Sequence, residues 1–207
     1  MAQFLMVIIA SRFYVNVVSM LIDCHVKSFP AVEGERKDKM ANIYWIEGPW
    51  RGRLAIMARP RGDEWLQREV DDWRRNRIDV VVSLLTQSEI DELALTQEAR
   101  VAEINGITFF AFPIPDRGVP ASLWKASSFI RQLEDLLADG RHVAIHCRHG
   151  IGRSALVAAG LLVRSGIDVA AAFTRIERSR GCPVPDTSEQ KNWVEKFAAL
   201  TPVPAFG

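Results

Sequence analysis

The residues best suited to chemistry are gathered in one stretch, His142 to Gly166, which reads HVAIHCRHGIGRSALVAAGLLVRSG. Within it Cys147 and Arg153 stand six positions apart, with Gly150 and Gly152 between them and Ser154 directly after. A cysteine sulfur attacks as the thiolate, and backbone N–H groups, a helix N-terminus and a guanidinium all favour that form over the thiol. A guanidinium can also bind two phosphoryl oxygens at once and stabilise charge on a transferring group. The pairing suits nucleophilic displacement at phosphorus through a covalent phosphocysteine. Ser154 could hydrogen-bond to the sulfur as phosphate leaves. Arg148, His149, Gly150, Ile151 and Gly152, together with Arg153, are the candidate substrate-binding loop, its glycines allowing sharp turns and a close approach to the ligand. Transfer to sulfur also needs a proton for the departing oxygen. Asp116, in the loop PIPDRGVP, is a carboxylic acid that could supply it. Capping of a turn is the competing account of Asp116.

Such groups need a strand, a loop and a helix to hold them. Val143 to His146 is apolar and β-branched, which predicts a buried strand. From Ser154 the chain is apolar on every side, which predicts a buried helix whose N-terminus points at the loop. Upstream, Arg53–Ala58 and Asp79–Leu85 read as core strands, and Ile107–Phe112 as another that leads into the Asp116 loop. Apolar spacings of three and four predict helices over 62–76, 121–139 and 168–179. The one over 121–139 would carry the chain between two parallel strands, as a βαβ crossover requires. Ser88 is expected to cap the stretch 88–104, whose many acids read as a solvated face. Glu89 in that stretch is a lesser candidate for orienting the phosphate loop. Thr187, with Gln190 three residues on, predicts a capping box and a last helix. These elements compose an α/β three-layer sandwich, with a central, mostly parallel sheet of four or five strands flanked by helices.

His146-Cys147-x-x-Gly150-x-x-Arg153-Ser154 resembles the signature loop of the cysteine-based protein phosphatases. The resemblance runs from about Arg53 to Phe197 and is strongest to the small dual-specificity branch, of the kinase-associated-phosphatase type. It implies a protein tyrosine phosphatase-like fold, and hydrolysis of phosphotyrosine and phosphoserine or phosphothreonine in proteins through a phosphocysteine, with no cofactor. It also implies that Asp116 is the general acid, and in the expected two-step mechanism the same carboxylate then acts as base, activating the water that releases phosphate. The family carries an aspartate on the corresponding loop about thirty residues before the cysteine, and Asp116 precedes Cys147 by 31. In tyrosine-specific relatives a QTxxQ motif places the attacking water. This chain has Asp186-Thr187-Ser188-Glu189-Gln190, keeping the second glutamine and replacing the first. Gln190 is therefore a candidate for that role, with helix capping as the competing account. His146 is expected to support the loop by hydrogen bonding. No segment resembles the phosphotyrosine-recognition loop of larger tyrosine phosphatases, so a shallow pocket open to all three phosphoresidues is expected. A phosphoinositide is an alternative substrate, because lipid phosphatases of the superfamily often carry lysines in the loop and Arg148 and His149 fill part of that role. A non-catalytic phosphosite-binding module is a further alternative.

A chain of 207 residues suits one domain with a well-buried core. Its net charge of +1 gives no support to a nucleic-acid partner. Cys24, Cys147 and Cys182 form an odd set without framework spacing, pointing to free thiols in a reducing, cytoplasmic compartment. Nothing local indicates that Cys182 is a redox partner of Cys147. His142 and His146 would lie about 13 Å apart along a strand, too far to share one ion, so no metal is expected. Residues 1–39 are expected to lie outside the catalytic fold, as an extension or the product of an early start. Phe4–Ile22 is apolar but interrupted by Arg12 and Asn16, a marginal membrane segment. The catalytic domain is expected over 40–201, with 202–207 as a tail. No feature speaks to oligomeric state.

Overall fold

The computed structural model describes residues 42–200. The expected extension 1–39 with Cys24, the domain start at Met40 and the tail 202–207 therefore lie outside the described residues. Among the described residues the first element is Ile43–Ile46 (β1), followed by Leu54–Ala58 (β2) and the helix Leu66–Arg75 (α1). Val80–Ser83 (β3) leads to two short helices, Gln87–Glu92 (α2) and Glu98–Ile104 (α3), and then to Thr108–Ala111 (β4). Leu123–Ala138 (α4) crosses to Val143–Cys147 (β5), and Arg153–Arg164 (α5), Val169–Arg180 (α6) and Ser188–Leu200 (α7) follow within the described residues.

The strands form one sheet in the order β1-β2-β5-β3-β4, with β1 antiparallel to β2 and the remaining pairs parallel. β3 and β5 are buried along their whole length, as interior strands of a parallel sheet covered on both faces must be. Alternate residues supply the two cores. Leu54, Ile56, Val80, Val82, Val143 and Ile145 pack against α4, α5, α6 and α7. Ala55, Met57, Val81 and Ala144 pack against α1 and α3 through Val70, Trp73 and Ala102. This alternation fixes the chemistry at the end of β5: Cys147 falls with the first core and His146 with the second.

The three-layer architecture is the expected one, with five strands. Three local features differ. β1 is not among the expected strands, because four residues of IYWI at a sheet edge carry little pattern of their own and are made a strand by pairing with β2. The stretch 88–104 divides into two helices around the buried Leu95, and its first helix is capped by Thr86 rather than Ser88. Glu89 Oε2 reaches back to accept from Thr86 N at 3.0 Å, which closes the capping box of that helix. Finally, two of the acids read as solvated, Glu89 and Glu98, are buried, each beside a basic partner from a distant part of the chain. Among the described residues no helix is long and apolar enough to cross a membrane.

Candidate active site

β5 ends at Cys147, in register with Ala58 of β2, and the chain then turns through residues 148–152 into α5. Cys147 is 3% exposed, and its sulfur lies 3.5 Å from Ser154 Oγ. Two glycines make this turn possible for different reasons. Gly150 has a left-handed φ of 66°, and a Cβ there would come within 2.5 Å of the Met57 carbonyl carbon. At Gly152 a Cβ would overlap Asp186 Oδ2 and lie 2.9 Å from Gln190 Oε1. Gly150→Ala should therefore cost about 1–3 kcal/mol in backbone conformation alone, before the collision with β2. We expect a Tm lower by several degrees and a loss of kcat/KM on an aryl phosphate, read from thermal melts and steady-state rates. The loop is also held from outside. Arg180, at the end of α6, donates to Gly150 O at 2.9 Å (Nε) and to His149 O at 3.2 Å (Nη2), while its guanidinium lies 4.3 Å from the Tyr44 ring centroid. Carbonyls held outward in this way turn the donor side of the backbone toward the cradle.

Arg153 is the most heavily bonded side chain of the site and is 2% exposed. Its Nη1 donates to Glu89 Oε2 at 2.8 Å and Ile114 O at 2.9 Å, and its Nη2 to Glu89 Oε1 at 2.8 Å and Asp116 Oδ1 at 2.9 Å. The two parallel bonds to Glu89 fix the guanidinium plane. Burial by itself would raise the Glu89 carboxyl above the usual carboxylate range. The hydrogen bonds from Arg153 and Thr86 and the Arg153 charge outweigh it and hold the group down at about 2. Burial likewise acts to lower Arg153, but the Glu89 hydrogen bonds and the charges of Cys147, Glu89 and Asp116 raise it, so the guanidinium stays charged.

Asp116 sits in a turn closed by Gly118 N donating to Pro115 O at 2.9 Å, with Arg117 in the left-handed region at φ 57°. Its side chain is 56% exposed, with Oδ1 on Arg153. Gln190 is fully buried and packs under this turn. Its Nε2 donates to Gly118 O at 3.1 Å, and its backbone N–H donates to Thr187 Oγ1 at 3.2 Å. The expected capping box is thus half formed: the Gln190 side chain faces the Asp116 loop and Gly152 instead of folding back on Thr187. The fold therefore gathers Cys147, Arg153, Ser154, Asp116 and Gln190 around one loop.

Other expected members are placed differently. Arg148 turns away to the rim, donating to both carboxylate oxygens of Glu92, with Nη1 at 3.1 Å from Oε2, and lies 4.0 Å from Glu89. That hydrogen-bonded pairing lowers Glu92 and raises Arg148. The His149 side chain is exposed and Ile151 packs at the margin of the core. His146 does not support the loop as expected. Period-two alternation puts its ring on the opposite face of the sheet, where Nε2 lies 2.8 Å from Glu98 Oε1, both groups buried. The approach is close but bent out of hydrogen-bond alignment, so the two groups are close neighbours rather than a hydrogen-bonded pair. Cys147 and Cys182 are both free thiols. Among the described residues no group of three or more His, Cys, Asp or Glu is arranged to hold a metal ion. Sequence reasoning gives Glu89 little weight and misses Arg180 and Asp186. The departure from QTxxQ is the one available signal for Asp186, and nothing local marks Arg180 off from any basic residue in a last helical turn.

Residues 55–167 match the family model described as polymorphic toxin system, DSP-PTPase phosphatase. Cyclin-dependent kinase inhibitor 3 of Rattus norvegicus is 29% identical over 136 residues, which are 64% of this chain and 63% of that protein. The chain thus spans a little under two thirds of the length of the curated relatives it matches. Among solved structures, kinase associated phosphatase with its catalytic-site cysteine substituted by serine superposes with a TM-score of 0.73 at 22% identity, covering 79% of this chain and 97% of that one. Tk-PTP in its active form gives 0.63 at 28% identity, covering 76% and 97%.

Proposed function

We propose, because the chain belongs to the DSP-PTPase phosphatase family, that it is a cysteine-dependent phosphatase that hydrolyses phosphotyrosine and phosphoserine or phosphothreonine in proteins. The observation that carries this reading is Arg153: one buried guanidinium, locked by Glu89, joins the Cys147 loop to the carboxylate of Asp116. In the first step the Cys147 sulfur attacks phosphorus while Arg153 and the loop N–H groups bind the non-bridging oxygens, and Asp116 gives its proton to the leaving oxygen. In the second, water releases phosphate from the phosphocysteine, and Ser154, 3.5 Å from the sulfur, stabilises the thiolate as it departs. Each role falls to a side chain of the chain itself. The pairing of Arg148 with Glu92 removes a cation from over the loop, which weighs against a substrate carrying several phosphates, such as a phosphoinositide. The intact set of Cys147, Arg153 and Asp116 weighs against a module that binds phosphate without turning it over. The free thiols suit a reducing, cytoplasmic setting.

Vanadate-sensitive hydrolysis of an aryl phosphate, followed by a panel of phosphopeptides, inositol lipids and nucleotides, tests the reading. Turnover of all three phosphoresidues in peptides is expected; exclusive turnover of a lipid or nucleotide would overturn the substrate class. Within the same panel Asp116→Ala should lose about 10²–10⁴-fold in kcat for alkyl phosphates, whose leaving oxygen needs a proton. It should lose far less for aryl phosphates with acidic leaving groups. An equal loss across leaving groups would remove Asp116 as the acid.

A further inference from the structure

The phosphate loop has a guanidinium at each end, Arg148 directly after Cys147 and Arg153 at the start of α5, and one short helix meets both. Glu89 and Glu92 stand three residues apart in α2 and so share a face. Glu89 takes Arg153 with two parallel bonds of 2.8 Å and keeps it in the site. Glu92 takes Arg148 with the same two-bond geometry, Nη1 on Oε2 at 3.1 Å and Nη2 on Oε1, and draws it out to the rim. The position of Glu92 is fixed, because the capping box closes the start of α2 and Glu89 is itself held by the buried Arg153. Other cations beside the loop are also engaged. Arg59 follows Ala58, the register partner of Cys147; it donates to Pro60 O at 2.8 Å, and its charge acts on Glu92. Arg61 Nε lies 2.6 Å from Oε1 of the buried Glu69. Arg59, Arg61, Asp63, Glu64 and Glu92 line a cleft of about 420 Å³ that meets the loop at Glu92. Its three carboxylates outnumber its two guanidiniums, so a second anion carried into it by a substrate meets net negative charge.

We infer, resting on the phosphatase reading above, that Glu92 is a specificity-determining residue: by holding Arg148 away from the loop it restricts the site to substrates with no second phosphate beside the one that is hydrolysed. Arg153 and the loop N–H groups serve the phosphoryl group that is transferred, and Glu89 keeps that service intact. A second phosphate would need Arg148, and Glu92 withholds it. Glu92 touches no reacting atom and acts only through Arg148. The pairing lies at the exposed rim, where salt screens it.

The test compares Glu92→Ala with the unsubstituted protein on an aryl phosphate, a phosphotyrosine peptide, and the same peptide with a phosphoserine beside the phosphotyrosine. Inositol monophosphate and inositol bisphosphate repeat the contrast on a headgroup. On the aryl phosphate and the singly phosphorylated peptide, kcat/KM should stay within about threefold. On a doubly phosphorylated probe it should rise about tenfold, mainly through a lower KM, and the gain should shrink as salt is raised from about 0.05 to 0.5 M. Glu92→Gln keeps an acceptor for Arg148 and should gain less. Adding Arg148→Met to Glu92→Ala should abolish the gain. A gain on either doubly phosphorylated probe upholds the inference, and the pair shows whether peptide or headgroup brings the second phosphate within reach. No gain on either probe overturns it. So does a gain that survives Arg148→Met, since loss of a repelling carboxylate would then be the whole effect. A fall on every substrate, the aryl phosphate included, would make Glu92 structural and also overturns it. If the unsubstituted protein itself leaves aryl phosphate intact, the phosphatase reading falls first and takes this one with it.

Discussion

Cys147→Ser is expected to lower turnover of an aryl phosphate by at least about 10⁴-fold while leaving affinity for inorganic phosphate within a few-fold. The substitution is nearly isosteric, and a serine hydroxyl can keep the contact with Ser154 Oγ, so the loop, Arg153 and its Glu89 partner stay in place. What is lost is the nucleophilicity and polarisability of the attacking atom, because sulfur attacks as a thiolate and a serine hydroxyl ionises far less readily than a thiol. Steady-state rates and calorimetric titration with phosphate check the two halves separately. Rates near those of the unsubstituted protein would remove Cys147 as nucleophile; loss of phosphate binding would mean that the cradle depends on the sulfur itself.

Glu89→Ala is the second large effect, and it separates the site from its scaffold. Removing the carboxylate leaves a guanidinium that is 2% exposed without its two-bond partner, a change that typically costs about 3–5 kcal/mol. We expect that loss in denaturant melts, together with a fall in kcat/KM of about 10²-fold, because Arg153 no longer holds its plane toward the phosphoryl oxygens. Glu89→Gln keeps an acceptor and should lose less of both. The pH dependence has a definite sign. Folding depresses the Glu89 carboxyl from its ordinary 4.5 to about 2, so the folded state binds the proton less readily than the unfolded chain. The stability it contributes is fully present above 4.5 and disappears as the pH falls toward 2. The difference in Tm between the unsubstituted protein and Glu89→Gln should therefore be as large at about pH 6 as at about pH 7, then shrink below about 4.5. A difference that stays constant down to about pH 2.5 would mean that Glu89 stabilises by shape rather than by charge.

The contiguous half of the site is legible in the order of the amino acids. Cys147, the glycines, Arg153 and Ser154 follow one another along a strand, a turn and a helix, so local pattern positions them: β-branched apolar residues in β5, glycine where φ is left-handed, and an apolar surround for α5. The sheet is legible for the same reason, since its interior strands are short apolar runs that only a doubly covered sheet can bury. Asp116 is reachable through the chemistry the loop demands. The other half depends on residues far apart in the chain. Glu89 lies 64 positions from Arg153 and Arg180 lies 30 from Gly150, and each joins the site only because the fold packs the helices that carry them beside the carboxyl end of β5. An acid in a polar stretch reads as solvated until its partner is known, and Glu89 and Glu98 find theirs only across the fold. The face on which His146 lies, and the carboxylate of Asp186 over Gly152, are likewise settled by packing. Spacing along the chain determines which groups share a turn; the energy of burying a charge, and so its partner, is determined only when the layers close.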